Sequence, residues 1–161
     1  MWHIWTIDDW EKNIDLDREG HRTGLRLRFD KDVDPELKKT LKEFAVFLRR
    51  EYYFPLRVNV YVRSRYRIKA MDGDMCCGIF WYMPDDYTIN PYIRIATGDY
   101  EDMYIKWGKD IAVKNILYSL AHELTHYFQY INSLKLTPIG MERQANNYAH
   151  YILEEYEDTI T

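Results

Sequence analysis

The spacing of apolar residues changes at Gly108, and this change constrains the fold more than any other feature of the sequence. Before Gly108, apolar and polar residues alternate in short segments, a pattern typical of half-buried β-strands. After it, apolar residues recur every three or four positions, as on one face of an amphipathic helix. Because most strands precede most helices, we predict an α+β domain. The predicted strands cover about residues 25–29, 56–63, 66–70, 78–83 and 92–96.

One helix interrupts the strands, and its start is marked by Asp34 and Pro35. Aspartate is a favoured N-cap and proline fits the first helical position, so we predict a helix over about residues 35–53. Pro55 ends it, because the residue before a proline avoids helical dihedral angles. Two further helices are predicted at about 110–132, capped by Asp110, and at about 141–158, after a loop that contains Pro138 and Gly140.

Length and composition predict one globular domain that covers residues 1–161. The chain is 47% hydrophobic and 30% charged, which excludes a disordered or collagen-like protein. No apolar run approaches the ~18–20 residues that cross a bilayer, and the first residues lack the features of a secretory signal. The two cysteines, Cys76 and Cys77, are adjacent and make no disulfide framework. We therefore expect a cytoplasmic protein without a membrane partner.

The net charge of −4 is unevenly distributed, with an excess of basic residues in the first 70 positions and of acidic residues after them. An acidic protein is a poor general binder of nucleic acid, so we expect no nucleic-acid partner. A stripe of basic residues in the first half of the chain leaves nucleic-acid binding open as an alternative. We interpret the stripe as the solvated face of a strand. Its residues are Arg57, Arg63, Arg65, Arg67 and Lys69.

Residues 122–126 read His-Glu-Leu-Thr-His, an H-E-x-x-H motif inside the long predicted helix. His122 and His126 are four residues apart, so their imidazoles project from the same helix face and can bind one ion. Zinc accepts nitrogen ligands in tetrahedral geometry and suits such a pair. Glu123 lies beside them, in the position of a general base that is not itself a ligand. The motif therefore predicts a Zn²⁺ site with Glu123 as a catalytic residue.

A catalytic zinc ion needs a third protein ligand. The metzincin pattern is excluded, because Gln129 and Asn132 occupy the positions of its glycine and histidine. Glu142, at the start of the last predicted helix, is the alternative ligand. Its position is equally well explained by the favourable interaction of a carboxylate with the helix dipole. Asn146, one turn later, could accept a hydrogen bond from a ligand histidine and fix its tautomer.

Together, these residues resemble the gluzincins, a class of zinc metallopeptidases. The H-E-x-x-H helix is followed by the pattern E-x-x-A-N-x-x-A over residues 142–149. This pattern is similar to the glutamate helix of the small single-domain forms, the minigluzincins and the ImmA/IrrE-like metallopeptidases. The resemblance covers residues 110–158, which would form the metal-binding helical half. It leaves residues 1–30 as an N-terminal extension without a counterpart.

The resemblance implies a minimal zincin domain. In it, a small, mostly antiparallel twisted sheet packs against an N-terminal helix, the H-E-x-x-H helix and the glutamate helix. It implies that His122, His126 and Glu142 are the zinc ligands and that Glu123 is the general base and proton shuttle. In the family, the strand before the active-site helix pairs with an extended peptide, and here that strand would be Pro91–Ala96.

The transition-state donor and the role of the N-terminal extension each have several candidates. Among side chains that could hydrogen-bond an oxyanion we rank His150 first as a catalytic residue, because it lies two turns beyond Glu142 on a nearby face. The other donors considered are Tyr127, Tyr130, Tyr148 and Tyr151. The tryptophans of the extension either complete the core or cover the cleft as a prosegment. They are Trp2, Trp5 and Trp10.

We expect a peptidase that hydrolyses peptide bonds with metal-activated water and Glu123 as general base. Its partner would be a peptide or protein substrate. The alternative is a catalytically silent protein-interaction or regulatory module with the same fold, which would bind its partner through an exposed edge strand. Glu123 favours the enzyme, because a binding module needs no base beside a metal.

Overall fold

The structure is a computed structural model that describes residues 3–14, 23–70 and 72–161. It confirms the α+β class, because four α-helices accompany a small mixed sheet in the described chain. A 3-10 turn at Asp9–Lys12 precedes the first strand. The strands are β1 Leu25–Phe29, β2 Val58–Arg63, β3 Ile68–Lys69, β4 Met75–Cys76, β5 Gly78–Trp81 and β6 Tyr92–Ala96. The helices are α1 Pro35–Glu51, α2 Tyr100–Trp107, α3 Lys109–Ile131 and α4 Pro138–Ile160.

The main sheet has four strands in the order β1-β2-β6-β5. β1 pairs with β2 and β2 with β6 in parallel, and only β5 runs antiparallel to its neighbour β6. The prediction of a mostly antiparallel sheet is therefore wrong. The physical reason is α1, which crosses over between β1 and β2, since two parallel strands need such a crossover. β3 and β4 form a separate antiparallel pair.

β6 lies in the interior of the sheet, between β2 and β5, so the prediction that Pro91–Ala96 provides an exposed edge is wrong. The edge on this side of the sheet belongs to β5, which pairs with β6 so that Gly78 lies opposite Ile95 and Trp81 opposite Tyr92. Alternation along a strand identifies its two faces but not its neighbours, which explains the error. On this side of the sheet, the described strand with main-chain groups free to pair with a ligand is therefore β5.

A capping side chain sets the start of the first helix, whereas the third helix begins after a glycine turn. The predicted cap of α1 is confirmed, because the Asp34 carboxylate accepts hydrogen bonds from two backbone N–H groups of the first turn, both at 3.0 Å. The prediction that Asp110 caps α3 is wrong. The helix already begins at Lys109, and Gly108, at φ 91°, makes the turn from the unpredicted helix α2 into α3.

α4 begins earlier than the predicted boundary near residue 141. The Thr137 hydroxyl accepts a hydrogen bond from the backbone N–H of Gly140 at 3.0 Å, and Pro138 follows as the first helical residue. The end of the predicted loop, from Pro138 to Gly140, is therefore the first turn of α4, while residues 132–137 are not helical. Its threonine–proline pair is the same kind of signal that marks α1. As a result Glu142 lies in the second turn, where the helix dipole acts only weakly.

One hydrophobic cluster joins the sheet to the helices and extends from Ile4 to Tyr156. On β2, Val58, Val60 and Val62 are fully buried in this cluster, while the residues between them lie on the opposite face of the sheet. This alternation determines which face of the sheet packs against the helices. α3 and α4 span 23 residues each, yet no helix of the described chain is apolar enough over such a length to cross a membrane.

The described part of the N-terminal extension packs against α3. Trp5 and Trp10 are buried, and the indole N–H of Trp5 donates a hydrogen bond to Thr125 Oγ1 at 3.0 Å. The backbone N–H of Trp10 donates to Asn132 Oδ1 at 2.9 Å. These contacts favour the interpretation that the tryptophans complete the core. Trp2 lies outside the described residues.

Asp30, directly after β1, links the carboxyl ends of two parallel strands. Its carboxylate accepts hydrogen bonds from Arg63 Nη1 at 3.1 Å and from the backbone N–H of Ser64 at 3.0 Å. Burial opposes ionisation, but these two donors prevail and lower the pKa of Asp30 below its usual value. The stabilisation is therefore complete above the unfolded pKa of about 4 and is lost as the pH falls through the lowered folded pKa.

We expect Asp30→Asn to unfold at a lower urea concentration than the wild type at neutral pH, because the uncharged amide accepts these hydrogen bonds less strongly. The difference should shrink at a pH below the lowered folded pKa, where the wild-type carboxyl is protonated as well. Urea unfolding at both pH values measures the effect. A difference that is the same at both would contradict the role assigned to the ionised carboxylate.

Candidate metal centre

α3 holds His122 and His126 on one face, as the four-residue spacing predicted. The centroids of the two imidazole rings are 4.9 Å apart, and the ring planes are nearly perpendicular, at 84°. Glu142 reaches across from α4, with Oε2 at 3.1 Å from His122 Nε2 and Oε1 at 3.0 Å from His126 Nε2. One ligand atom from each of the three side chains lies within 4.8 Å of the others, so the cluster could hold a metal ion.

α4 approaches α3 through a contact face of small residues. Ala145 and Ala149 are fully buried, and Ile152 and Leu153 extend the same face into the core. Small side chains at a helix contact let the two backbones lie close together. Glu142 precedes Ala145 by three residues, so it lies on the same side of α4. This packing brings its carboxylate to the two histidines of α3 while leaving 61% of the side chain exposed.

Gln129, which the sequence indicated only as a departure from the metzincin pattern, fixes the tautomer of His126. Its Nε2 donates to the backbone carbonyl of Met141 at 3.0 Å and to Gln144 Oε1 at 2.9 Å. Because a carbonyl only accepts, Gln129 Oε1 is the atom that faces His126 Nδ1, 2.7 Å away. His126 Nδ1 therefore carries the proton, and the lone pair of Nε2 is free for a metal. The spacing of three residues on one helix face was the signal that could have identified Gln129.

Asn146 and Tyr118 support His122 in a similar way. Asn146 lies close enough to act on the His122 ring, and its Oδ1 accepts a hydrogen bond from the Tyr118 hydroxyl at 2.9 Å. Burial, followed by repulsion from His126, lowers the pKa of His122 below its usual value. The ring is therefore neutral at pH 7, the form that binds metals. Tyr118 was not predicted, although it lies one turn before His122 on the same face.

Glu123 is 7% exposed, and its Oε1 lies 4.0 Å from His122 Nε2. Gly78 on β5 makes room for this side chain, because a Cβ atom at position 78 would lie 3.2 Å from Glu123 Cγ. Burial, and secondly the negative charge of Glu142, raise the pKa of Glu123 to about 8. A carboxyl group with a pKa near neutral can both accept and donate a proton under physiological conditions.

A cleft of about 600 Å³ opens beside these residues. β5 borders the cleft along its free edge. Three aromatic rings stand next to that edge, since the ring of Tyr130 lies 6.0 Å from Phe80 and 4.7 Å from Tyr82. The cleft therefore joins the metal-binding cluster to an apolar wall. Its lining includes Glu123, His126 and Glu142, residues 78–80, Tyr82, Tyr130, Leu134 and Met141.

The predicted transition-state donors lie in different surroundings. His150 is exposed on α4, with its ring centroid 4.9 Å from that of Tyr118, and it does not line the cleft as described. Tyr127 and Tyr130 already donate to backbone carbonyls at 2.7 and 2.8 Å. The catalytic role of His150 stays a prediction. The remaining candidates, Tyr148 and Tyr151, pack against the ring of His3.

Comparison of the chain with protein-family models, with curated protein sequences and with solved structures found no match. The resemblance to the gluzincins thus rests on the motif at residues 122–126 and on the pattern at residues 142–149. What this chain does is therefore inferred from the chemistry of its own residues.

Proposed function

We propose that the protein is a zinc-dependent peptidase that hydrolyses peptide bonds with Glu123 as general base. The convergence of His122, His126 and Glu142 beside a buried carboxylate in a cleft carries this proposal. Two imidazole nitrogens and one carboxylate oxygen are a donor set that suits zinc. The protonation state also suits a metal, because Gln129 leaves the lone pair of His126 Nε2 free.

Bound zinc would supply Lewis-acid activation of a water molecule and of the scissile carbonyl. Glu123 would remove a proton from the attacking water at the inner wall of the cleft. Because burial raises the pKa of Glu123 to about 8, the protonated form predominates at pH 7 and the ionised form that accepts the proton increases as the pH rises towards 8. The same residue would then pass the proton to the leaving amine.

The free edge of β5 supports an extended peptide as the substrate. Main-chain groups on this edge border the cleft, and a peptide can pair with them as an added strand. Phe80, Tyr82 and Tyr130 form the aromatic wall beside the edge. Burial of an apolar side chain against these rings would add binding free energy. We therefore infer a preference for apolar or aromatic residues near the scissile bond.

A catalytically silent interaction module is the second candidate, and the free edge of β5 favours it as well. Such a module would hold a protein partner by strand addition without turnover. Glu123 favours the peptidase, because burial of a carboxyl group costs free energy and adds nothing to strand pairing.

Metal removal distinguishes the two candidates. We expect a chelator to abolish hydrolysis of a fluorogenic peptide library and one equivalent of zinc to restore it. Magnesium should not restore it, since that ion prefers oxygen ligands. Hydrolysis that persists in full after zinc has been removed would contradict the proposed function. A library that is bound but never cleaved by the zinc-loaded protein would favour the interaction module.

Gln129→Ala should lower the affinity for zinc about 10–100-fold, because His126 Nδ1 loses the acceptor that fixes its tautomer. Competition with a chromophoric chelator measures this affinity. Gln129→Glu is the matched control: its carboxylate keeps an acceptor for Nδ1, so its affinity should exceed that of Gln129→Ala. If Gln129→Ala binds zinc as tightly as the wild type, the hydrogen bond does not orient the ligand.

A further inference from the structure

One face of the main sheet points away from the helices, and we call it the outer face. Two rows of four side chains lie on it. All eight are at least partly exposed, whereas the residues between them on β2 and β6 are buried. The strand registers align the rows across all four strands. The first row is Arg26, Asn59, Tyr92 and Trp81, and the second is Arg28, Tyr61, Arg94 and Ile79.

The outer face is basic, although the net charge of the protein is −4. Arg26, Arg28 and Arg94 lie on it, and Arg63 adds a further cation at the end of β2. The described strands β1, β2, β5 and β6 contain no acidic residue. Asp30, just beyond β1, pairs with Arg63 at 3.1 Å. Clustered like charges on a sheet are unfavourable by themselves, so this arrangement indicates a polyanionic partner.

A groove of about 240 Å³ continues the outer face towards β3, and cations line most of it. Two buried guanidinium nitrogens have no hydrogen-bond partner: Nε of Arg94 on β6 and Nε of Arg57, directly before β2. A buried donor without a partner costs free energy, and phosphate oxygens are strong acceptors for guanidinium groups. The groove is lined by Arg63, Arg65, Ile68, Lys69 and Arg94.

Aromatic rings lie directly beside these cations. Trp81 stacks on Tyr92, with 5.2 Å between centroids and 14° between planes. Tyr61 meets the same tyrosine edge-on at 6.0 Å. The guanidinium carbon of Arg94 lies 4.9 Å from the centroid of the Tyr92 ring. Aromatic rings and guanidinium planes both stack on unpaired nucleobases.

We propose that the outer face binds single-stranded nucleic acid. Phosphates would occupy the cationic groove, and bases would stack on the cluster of Trp81, Tyr92 and Tyr61. An open sheet can present rings to unpaired bases, whereas readout of a duplex requires an element that enters a groove. An acidic protein partner would account for the arginines but not for the partly exposed rings. The outer face lies across the sheet from α3, so this binding does not rest on the proposed peptidase.

Fluorescence anisotropy of a labelled 20-nucleotide oligothymidylate, titrated with the full chain, tests the proposal. We expect saturable binding with a logarithmic salt slope of about −2 to −4, since each phosphate neutralised on a single strand contributes about −0.7. Trp81→Ala should weaken binding about 5- to 100-fold through lost stacking. Arg28→Glu, at an exposed position on the edge strand β1, should weaken it about tenfold and reduce the salt slope. Arg50→Glu, at the end of α1, makes the same change of charge away from the outer face, so it is the matched control and should bind like the wild type.

The proposal is overturned if the oligonucleotide does not bind at low salt. It is also overturned if Trp81→Ala and Arg28→Glu bind it as tightly as the wild type, with thermal unfolding confirming that both are folded. Polyglutamate of the same length should compete weakly. If it competes as well as the oligonucleotide, the outer face is instead a docking surface for acidic proteins. Tighter binding of the matching duplex would contradict the stacking contribution.

Discussion

Glu123→Gln is expected to lower the rate of peptide hydrolysis by about 10²–10⁴-fold, the usual contribution of a general base. The amide has nearly the shape of the carboxylate, so it should fit the space that Gly78 leaves beside it. It cannot take a proton from water, however, and it cannot return one to the leaving amine. Because Glu123 is not one of the three clustered ligand residues, the variant should keep its metal.

The two properties of this variant are measured on one preparation. Steady-state hydrolysis of the best library peptide gives the rate, and elemental analysis gives zinc per chain. Low activity with zinc at one equivalent supports Glu123 as the base. Full activity with bound zinc would contradict this role, and loss of zinc would show that Glu123 helps to hold the ion instead.

His126→Ala should weaken zinc binding on the order of 10³-fold, because two protein ligands remain where a catalytic zinc site uses three. The variant should also lose hydrolysis at zinc concentrations that saturate the wild type. His126 is only partly buried, and its ring nitrogens contact Gln129 and Glu142 rather than the apolar core, so the fold should survive the change. Competition with a chromophoric chelator measures the affinity, and thermal unfolding checks the fold.

His150→Ala is the matched control for this experiment. His150 lies on α4 within reach of Tyr118 but outside the three-residue cluster, so its removal should leave zinc affinity unchanged. Its activity then tests the predicted role as transition-state donor. A folded His126→Ala variant that binds zinc like the wild type would contradict the assignment of the ligand.

Local signals in the sequence predicted those parts of the fold that depend on local contacts. The spacing of His122 and His126 predicted one helix face, and the Asp34 cap predicted the start of α1. Local signals could not predict the order of the strands, because the pairing of β6 with both β2 and β5 depends on contacts between distant segments. The eight-residue helix α2 was missed although Tyr100, Met103 and Trp107 follow helical spacing, because the segment is shorter than the ~11 residues over which that spacing identifies a helix.

In the candidate site, too, local patterns predicted some of the residues, and tertiary packing brought in the others. The motif predicted the two histidines and Glu123, whereas Glu142 as a partner depended on a resemblance and on the packing of α4 against α3. The spacing from His126 could have marked Gln129 as a neighbour, but not which amide atom faces the ring, because the carbonyl of Met141 orients the amide and that contact exists only once α4 has docked. The groups that orient a ligand therefore come from tertiary packing more than from the motif itself.

The central claim is that His122, His126 and Glu142 hold one zinc ion. X-ray absorption at the zinc edge of the zinc-loaded wild-type protein tests it most directly. The predicted spectrum contains nitrogen and oxygen neighbours at about 2.0–2.2 Å, together with the multiple scattering of two imidazole rings. Sulfur neighbours at about 2.3 Å would instead place the ion at the free thiols of Cys76 and Cys77. That result, or a protein that takes up no zinc, would contradict the claim.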